Sequence, residues 1–309
     1  MRNTFADTLT GCAAKDRKLM LLTGDLGFSV LERFRDSFPD RFLNMGISEA
    51  NMIGAASGLA LGGMKPYVYS IIPFATMRCF EQVRNDVCYQ DADVKIVGVG
   101  GGLAYGTLGP THHAREDIAL MTSLPNMTVV CPGDPIETEL LTKLSVSHQG
   151  PMYIRLGRGG DPVIHQSRPD VEIGKGIMVK EGNDATIIAT GNILPNALAA
   201  TKILEEKKMK VRLISMHTVK PLDADIIRKA AKETDALFTV EEHSAINGLG
   251  SAVGDALHAQ GSKAMFRKIG LKDRFEQVVG NHEHLRQANG LSPEQISSAV
   301  LEARKTLRK

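Results

Sequence analysis

The sequence predicts an α/β protein built from two doubly wound domains. Three observations carry that reading. Short β-rich runs alternate with helical patterns along the whole chain, the runs are apolar on both faces, and one aperiodic stretch divides the alternation into two blocks. The length of 309 residues agrees, since a domain typically takes ~150 residues.

In the first block the β-rich runs are LMLLTGD (19–25), KPYVYSII (65–72), VKIVGVG (94–100), MTVVCPGD (127–134) and PMYIRLG (151–157). Between them, Glu49 to Leu61, Met77 to Tyr89 and Pro135 to Ser147 carry apolar residues at three- and four-residue spacing, the helical period. The break is GGDPVIHQSRP (159–169), which mixes glycine, proline and polar residues without period and reads as a linker. It separates a domain at 1–160 from one at 170–309. The second block repeats the alternation with ATIIAT (185–190), VRLISM (211–216), ALFTVEEH (236–243) and FRKIGL (266–271). It closes with LSPEQISSAV, where Ser292 suits a helix N-cap, Pro293 suits the first helical position and Gln295 completes a capping box.

Composition excludes several function classes. The 37 basic and 35 acidic side chains leave +2, which is no phosphate-backbone grip, so no nucleic-acid partner is expected. A hydrophobic fraction of 43% supports buried cores and excludes disorder. No apolar run reaches ~18 residues, so no membrane span is expected. The opening MRNTFADTLTGCAAKDRKLM lacks a continuous apolar stretch and reads as no secretory signal. Cys12, Cys79, Cys88 and Cys131 are widely spaced with no CxxC, which suits buried thiols in a reducing cytoplasm rather than a zinc site.

Two glycine clusters invite a nucleotide reading and fail it. GVGGGL (98–103) follows a strand but has Leu103 where the dinucleotide fingerprint needs its third glycine, and the loop AYGTLGPTHH follows instead of a helix. GLGSAVG (248–254) has Val253 at the same position. Tight turns at strand ends account for both.

Three segments of the first domain could carry chemistry. In GISEANMIGAASGLALGG (46–63), Glu49 opens a helix rich in small residues, a place the helix dipole favours for an acid in any case. In YSIIPFATMRCFEQVRNDV (69–87), Phe74, Met77 and Phe80 recur every three residues, as a core stripe also would. In GTLGPTHHAREDIALM (106–121), His112 and His113 lie in a loop at the C-terminal end of a strand, the edge where open parallel sheets bind ligands.

Taken together, GISEANM, PFATMRCFEQVRND, GPTHHAREDIALMTSLPNMTVVCPGDPIET and RLGRGG, in that order, resemble the C-terminal half of transketolases and the related 1-deoxyxylulose-phosphate synthases. TVEEHSAINGLGSAV (239–253) looks like their C-terminal domain signature, and the resemblance spans nearly the whole chain. It implies a pyrimidine-binding domain with a parallel sheet, then a transketolase C-terminal-like domain, and thiamine diphosphate as cofactor. In the family a carboxylate meets N1′ of the cofactor's aminopyrimidine, and Glu49 matches it. That role asks for a protonatable carboxyl in a dry pocket that raises its pKa. Phe74, Met77 and Phe80 match residues packed on the pyrimidine ring, a flat wall on which methionine can replace an aromatic. His112 matches the catalytic or substrate-positioning histidine, with His113 a lesser candidate for the substrate. Arg158 matches an arginine that binds the sugar phosphate, with Arg155 the competing choice. Asp25, in the TGDLG turn, resembles a family acid near the cofactor and the subunit contact.

The match departs from the family in three places. Where transketolases read EDGPTH this chain reads TLGPTH, with Leu108 at the acid's position, and a family histidine upstream is replaced within GGGLAYG. Both positions contact substrate hydroxyls in the family, so sugar selection should differ. No GDG motif for Mg²⁺ and diphosphate occurs. The resemblance therefore implies a split transketolase, with magnesium ligands on an N-terminal partner subunit and an α₂β₂ assembly about a two-fold axis. It would move a two-carbon ketol unit from a ketose phosphate to an aldose. The alternatives are the β subunit of a 2-oxoacid dehydrogenase and a 1-deoxyxylulose-phosphate synthase-like enzyme.

Overall fold

Two sheets organise the computed structural model, which describes residues 1–307. The strands before the linker are β1 (Leu19–Thr23), β2 (Phe42–Asn44), β3 (Lys65–Ile71), β4 (Lys95–Val99), β5 (Thr128–Val130) and β6 (Met152–Leu156). After it come β7 (Ile177–Lys180), β8 (Ala185–Thr190), β9 (Val211–Ser215), β10 (Thr218–Lys220), β11 (Ala236–Ser244) and β12 (Met265–Leu271). The first sheet has the order β10-β5-β6-β4-β3-β1-β2 and the second β12-β11-β8-β9-β7. Pairing is parallel except at β10 with β5 and β7 with β9.

Every β-rich run read from the sequence is a strand. β2, β7 and β10 fall outside those runs for a physical reason. β2 and β10 are three residues long, and β7 is a half-buried edge, so none carries a two-sided apolar signature. β10 belongs by sequence to the second half yet extends the first sheet beside β5, which ties the two halves through backbone hydrogen bonds.

β1, β4 and β6 are buried along their whole length, as strands covered on both faces must be. Met52, Ile53 and Ala56 of the helix Glu49–Leu61 pack with Leu22, Val68 and Ile96 on one face. Phe5, Leu9, Phe34 and Leu141 pack with Leu21, Val97 and Ile154 on the other. The helices Glu49–Leu61 and Pro135–Ser147 have the bounds that periodicity predicts.

The expected helix from Met77 to Tyr89 is not one helix. A helical turn at Ile72–Thr76 is followed by a break, a short turn at Phe80–Gln82 and a wide π-turn at Val83–Cys88. Pro73 starts the first turn, and the bend at Cys79 and the wide turn after it interrupt what the apolar spacing suggests. The capping box is formed: the Gln295 amide donates to Ser292 Oγ and the Ser292 amide to Gln295 Oε1, each at 3.3 Å. All four cysteines are free thiols. Among the described residues no helix is long and apolar enough to cross a membrane.

Candidate active site

Because β6, β4, β3, β1 and β2 are neighbours and parallel, their C-terminal ends share one edge of the sheet. The loops leaving that edge carry Arg158 after β6, Tyr105 and His112 after β4, Phe74 and Arg78 after β3, Asp25 after β1 and Glu49 after β2. Residues more than a hundred positions apart thereby fall into one row.

Contacts run along this row from end to end. Glu49 Oε2 accepts from Arg78 Nη1 at 2.8 Å. The Arg78 guanidinium carbon lies 4.3 Å above the Phe74 ring. Phe74 meets His112 edge-on with centroids 5.2 Å apart, and His112 meets Tyr105 at 6.2 Å. Arg158 closes the row 4.9 Å over Tyr105.

Glu49 is 1% exposed, and its second oxygen, Oε1, is buried without a hydrogen-bond partner among the described residues. Such an atom costs about 1–3 kcal/mol unless something meets it. Gly24 leaves room beside it, for a Cβ there would stand 3.6 Å from Oε1. An enclosed acceptor with a free lone pair and the Phe74 ring on the same row suit a flat heterocycle that presents a ring nitrogen.

His112 is half-buried, and its Nδ1 shares a 2.9 Å hydrogen bond with Thr111 Oγ1. Burial, and then the Arg78 charge, lower its pKa below the ordinary 6.5, so the ring is neutral at neutral pH. His113 is placed differently. It is 2% exposed and turned toward the junction of the halves, where Arg115, Glu276 and Glu242 are its charged neighbours. Both of its ring nitrogens lack partners among the described residues, and burial lowers its pKa.

Phe74 lies on the row, but the broken helix spreads the other two members of the stripe. Met77 is half-buried, and Phe80 packs against the core beside the Glu49–Leu61 helix. Asp25 is exposed in a left-handed turn (φ 57°) and is held by Asn44, whose side-chain amide donates to its Oδ1 while Asn44 Oδ1 accepts its backbone N–H, each at 3.0 Å. It adjoins Gly24, the residue backing Glu49. Leu108 is 50% exposed, so the position of the family's acid is apolar and open.

The two arginines left open by the sequence have different surroundings. Arg155 is 2% exposed, and its Nε donates to Asp117 Oδ2 at 2.7 Å. Its Nη2 also reaches the carbonyls of Ala114 and Glu242, each at 3.0 Å. Tyr153 donates to the same Asp117 oxygen at 2.7 Å. That guanidinium is committed inside the protein. Arg158 is exposed and lines a cavity of about 490 Å³ with Arg2, Asn281, His282 and the backbone of Gly159 and Gly160.

The second half supports this edge through Glu242. Its Oε1 accepts from the Leu103 amide and from His282 Nε2, each at 2.6 Å, and Arg286 Nε donates to Oε2 at 2.9 Å. Although burial opposes ionisation, Arg286 and His282 hold this carboxyl well below the usual carboxylate range. Gly102 must be glycine here, since its φ is 67° and a Cβ would collide with Glu242. The GLGSAVG cluster has its own occupant: Glu241 accepts the amides of Leu249 and Gly250 at the start of a helix.

Sequence reading missed Arg2, Arg78, Tyr105 and Asp117. Arg78 stood inside a segment read for its apolar spacing, and its partner lies 29 residues away. Tyr105 stood in a loop with no periodicity. The one available signal was that both belong to segments already singled out.

Comparisons with known proteins identify the family to which this fold belongs. The family model for the transketolase pyrimidine-binding domain matches residues 1–160, and that for the transketolase C-terminal domain matches 174–296. A putative transketolase C-terminal section from Methanocaldococcus jannaschii is 37% identical over 99% of this chain and 96% of that protein. An apulose-4-phosphate transketolase subunit from Phocaeicola vulgatus is 39% identical over 97% of this chain and 96% of its own length. Among solved structures, a split gene transketolase described as an inactive beta4 tetramer superposes with a TM-score of 0.90 at 37% identity, covering 98% of this chain and 97% of that one. The chain belongs to the transketolase family.

Proposed function

We propose that this chain is the C-terminal subunit of a two-chain transketolase which, with an N-terminal partner, transfers a two-carbon ketol unit from a ketose phosphate to an aldose. The observation that carries the reading is Glu49, an enclosed carboxyl with one unpaired oxygen at the end of a row that runs to an exposed arginine.

When bound, thiamine diphosphate supplies the nucleophilic carbon and the electron sink that ketol transfer requires. Glu49 would hold the N1′ side of its aminopyrimidine through Oε1 and share a proton there. Phe74 would wall the ring, Met77 and Phe80 would back the site from the turns that follow it, and Asp25 would stand at the rim toward the partner. His112, neutral at working pH, would donate to or accept from the substrate oxygens that gain and lose protons as the carbon–carbon bond breaks and forms. Arg158 would pair with the terminal phosphate, a role its planar fork suits; His113 has less access to the sugar. In this reading the Mg²⁺ and diphosphate contacts would come from the partner, since this sequence holds no GDG motif, and the sites would lie between subunits of an α₂β₂ particle.

The test is an assay of the chain purified with its native partner against a panel of ketose phosphates with an aldose acceptor. Two-carbon transfer is expected for at least one donor. Decarboxylation of a 2-oxo acid coupled to a lipoyl acceptor, with no ketol transfer, would instead assign the chain to the 2-oxoacid dehydrogenases.

A further inference from the structure

Tyr105 stands between the two ends of the row. Its ring touches His112 on one side, at 61° between planes, and lies under the Arg158 guanidinium on the other. The ring is seated on the backbone of Gly100, where φ is 92° and a Cβ would collide with it. Packing with Phe5, Tyr69 and Ile71 leaves it 8% exposed. A ring held this firmly fixes the spacing of its two neighbours.

Its hydroxyl is not used inside the protein. Among the described residues it has no hydrogen-bond partner, and it is not one of the enclosed orphan atoms, so it reaches solvent. Burial raises the phenol's pKa against the opposing charges of Arg2 and Arg158, so it remains a neutral O–H donor. Arg158, over the ring, and Arg2, whose charge acts on the phenol, line one cavity with Gly159, Gly160 and the two chain neighbours of Tyr105, Ala104 and Gly106, an environment for an oxyanion beside the ring. The surrounding GGGLAYG segment and Leu108 bring no acid that would repel one.

We propose that Tyr105 is a specificity-determining residue: its hydroxyl donates to the terminal phosphate that Arg158 binds, while its ring sets the His112–Arg158 spacing by which the site measures the donor's length. This rests on the ketol-transfer reading above.

The reconstituted complex tests it with two donors, a ketose phosphate and an unphosphorylated ketose. Tyr105→Phe is expected to raise KM for the phosphorylated donor about tenfold or more, as loss of a hydrogen bond to a charged group does. KM for the unphosphorylated donor should rise far less, so that the preference for the phosphorylated donor, read as the ratio of the two kcat/KM values, falls about tenfold. Inhibition by inorganic phosphate should weaken by the same factor. Tyr105→Leu should also lower kcat with both donors, because the spacing is lost. If Tyr105→Phe changes both donors equally or neither, the hydroxyl does not read the anion and the proposal falls. If the wild-type complex transfers from neither donor, the ketol-transfer reading itself falls and takes the proposal with it.

Discussion

Replacing Glu49 by Gln is expected to abolish ketol transfer in the reconstituted complex while the subunits still assemble. The substitution keeps the shape and reach of the side chain and removes its charge and its ability to exchange a proton. Positioned acid–base groups contribute roughly 10²–10⁴-fold to rate, so turnover should fall by at least that factor. Among the described residues Glu49 Oε1 is the one enclosed acceptor on the row with no partner. Glu49 also pairs with Arg78, but that guanidinium is half-exposed and can be met by water while the amide oxygen of Gln still accepts from it, so assembly should survive. Turnover with light scattering of the same preparation checks both halves. Retained turnover would remove Glu49 from the chemistry.

The second large effect concerns stability. Asp117→Ala should destabilise the chain by about 3–5 kcal/mol, because it strands Arg155 as an uncompensated buried charge. The two side chains are 0% and 1% exposed and 2.7 Å apart, and Tyr153 shares the same carboxylate oxygen. Arg155 further joins Ala114 of the histidine loop to Glu242 of the second half, so its loss should loosen the contact between the halves. Asp117→Asn, which keeps an acceptor for Tyr153, should cost less. Thermal denaturation of the purified variants measures this, and an unchanged midpoint for Asp117→Ala would show that the pair is not a stability element.

The strands were legible because short apolar runs rich in β-branched residues and bounded by turn residues suit strands covered on both faces, and the two helices with matching bounds start at a proline or among small residues. The short strands β2 and β10 were not, since three residues carry no period. The row of site residues was half legible. Glu49, Phe74, His112 and Arg158 stand out by their motifs, but their order across the sheet edge follows from strand order, which no local pattern encodes. Arg155 and Arg158 are three residues apart in one motif, and only burial separates a core ion pair from an open cation. The pairing of Arg78 with Glu49 and the seating of Tyr105 on Gly100 are products of tertiary packing, and sequence spacing does not reveal them.

In the function proposed above, the cofactor site would be divided between two polypeptides, with the ring end on this chain and the phosphate end on another. Calorimetric titration of thiamine diphosphate with Mg²⁺ tests that division most directly, first into the purified chain and then into its complex with the partner. Saturable, tight binding by the complex and weak binding by the chain alone is the predicted result. Tight binding by the chain alone would contradict it.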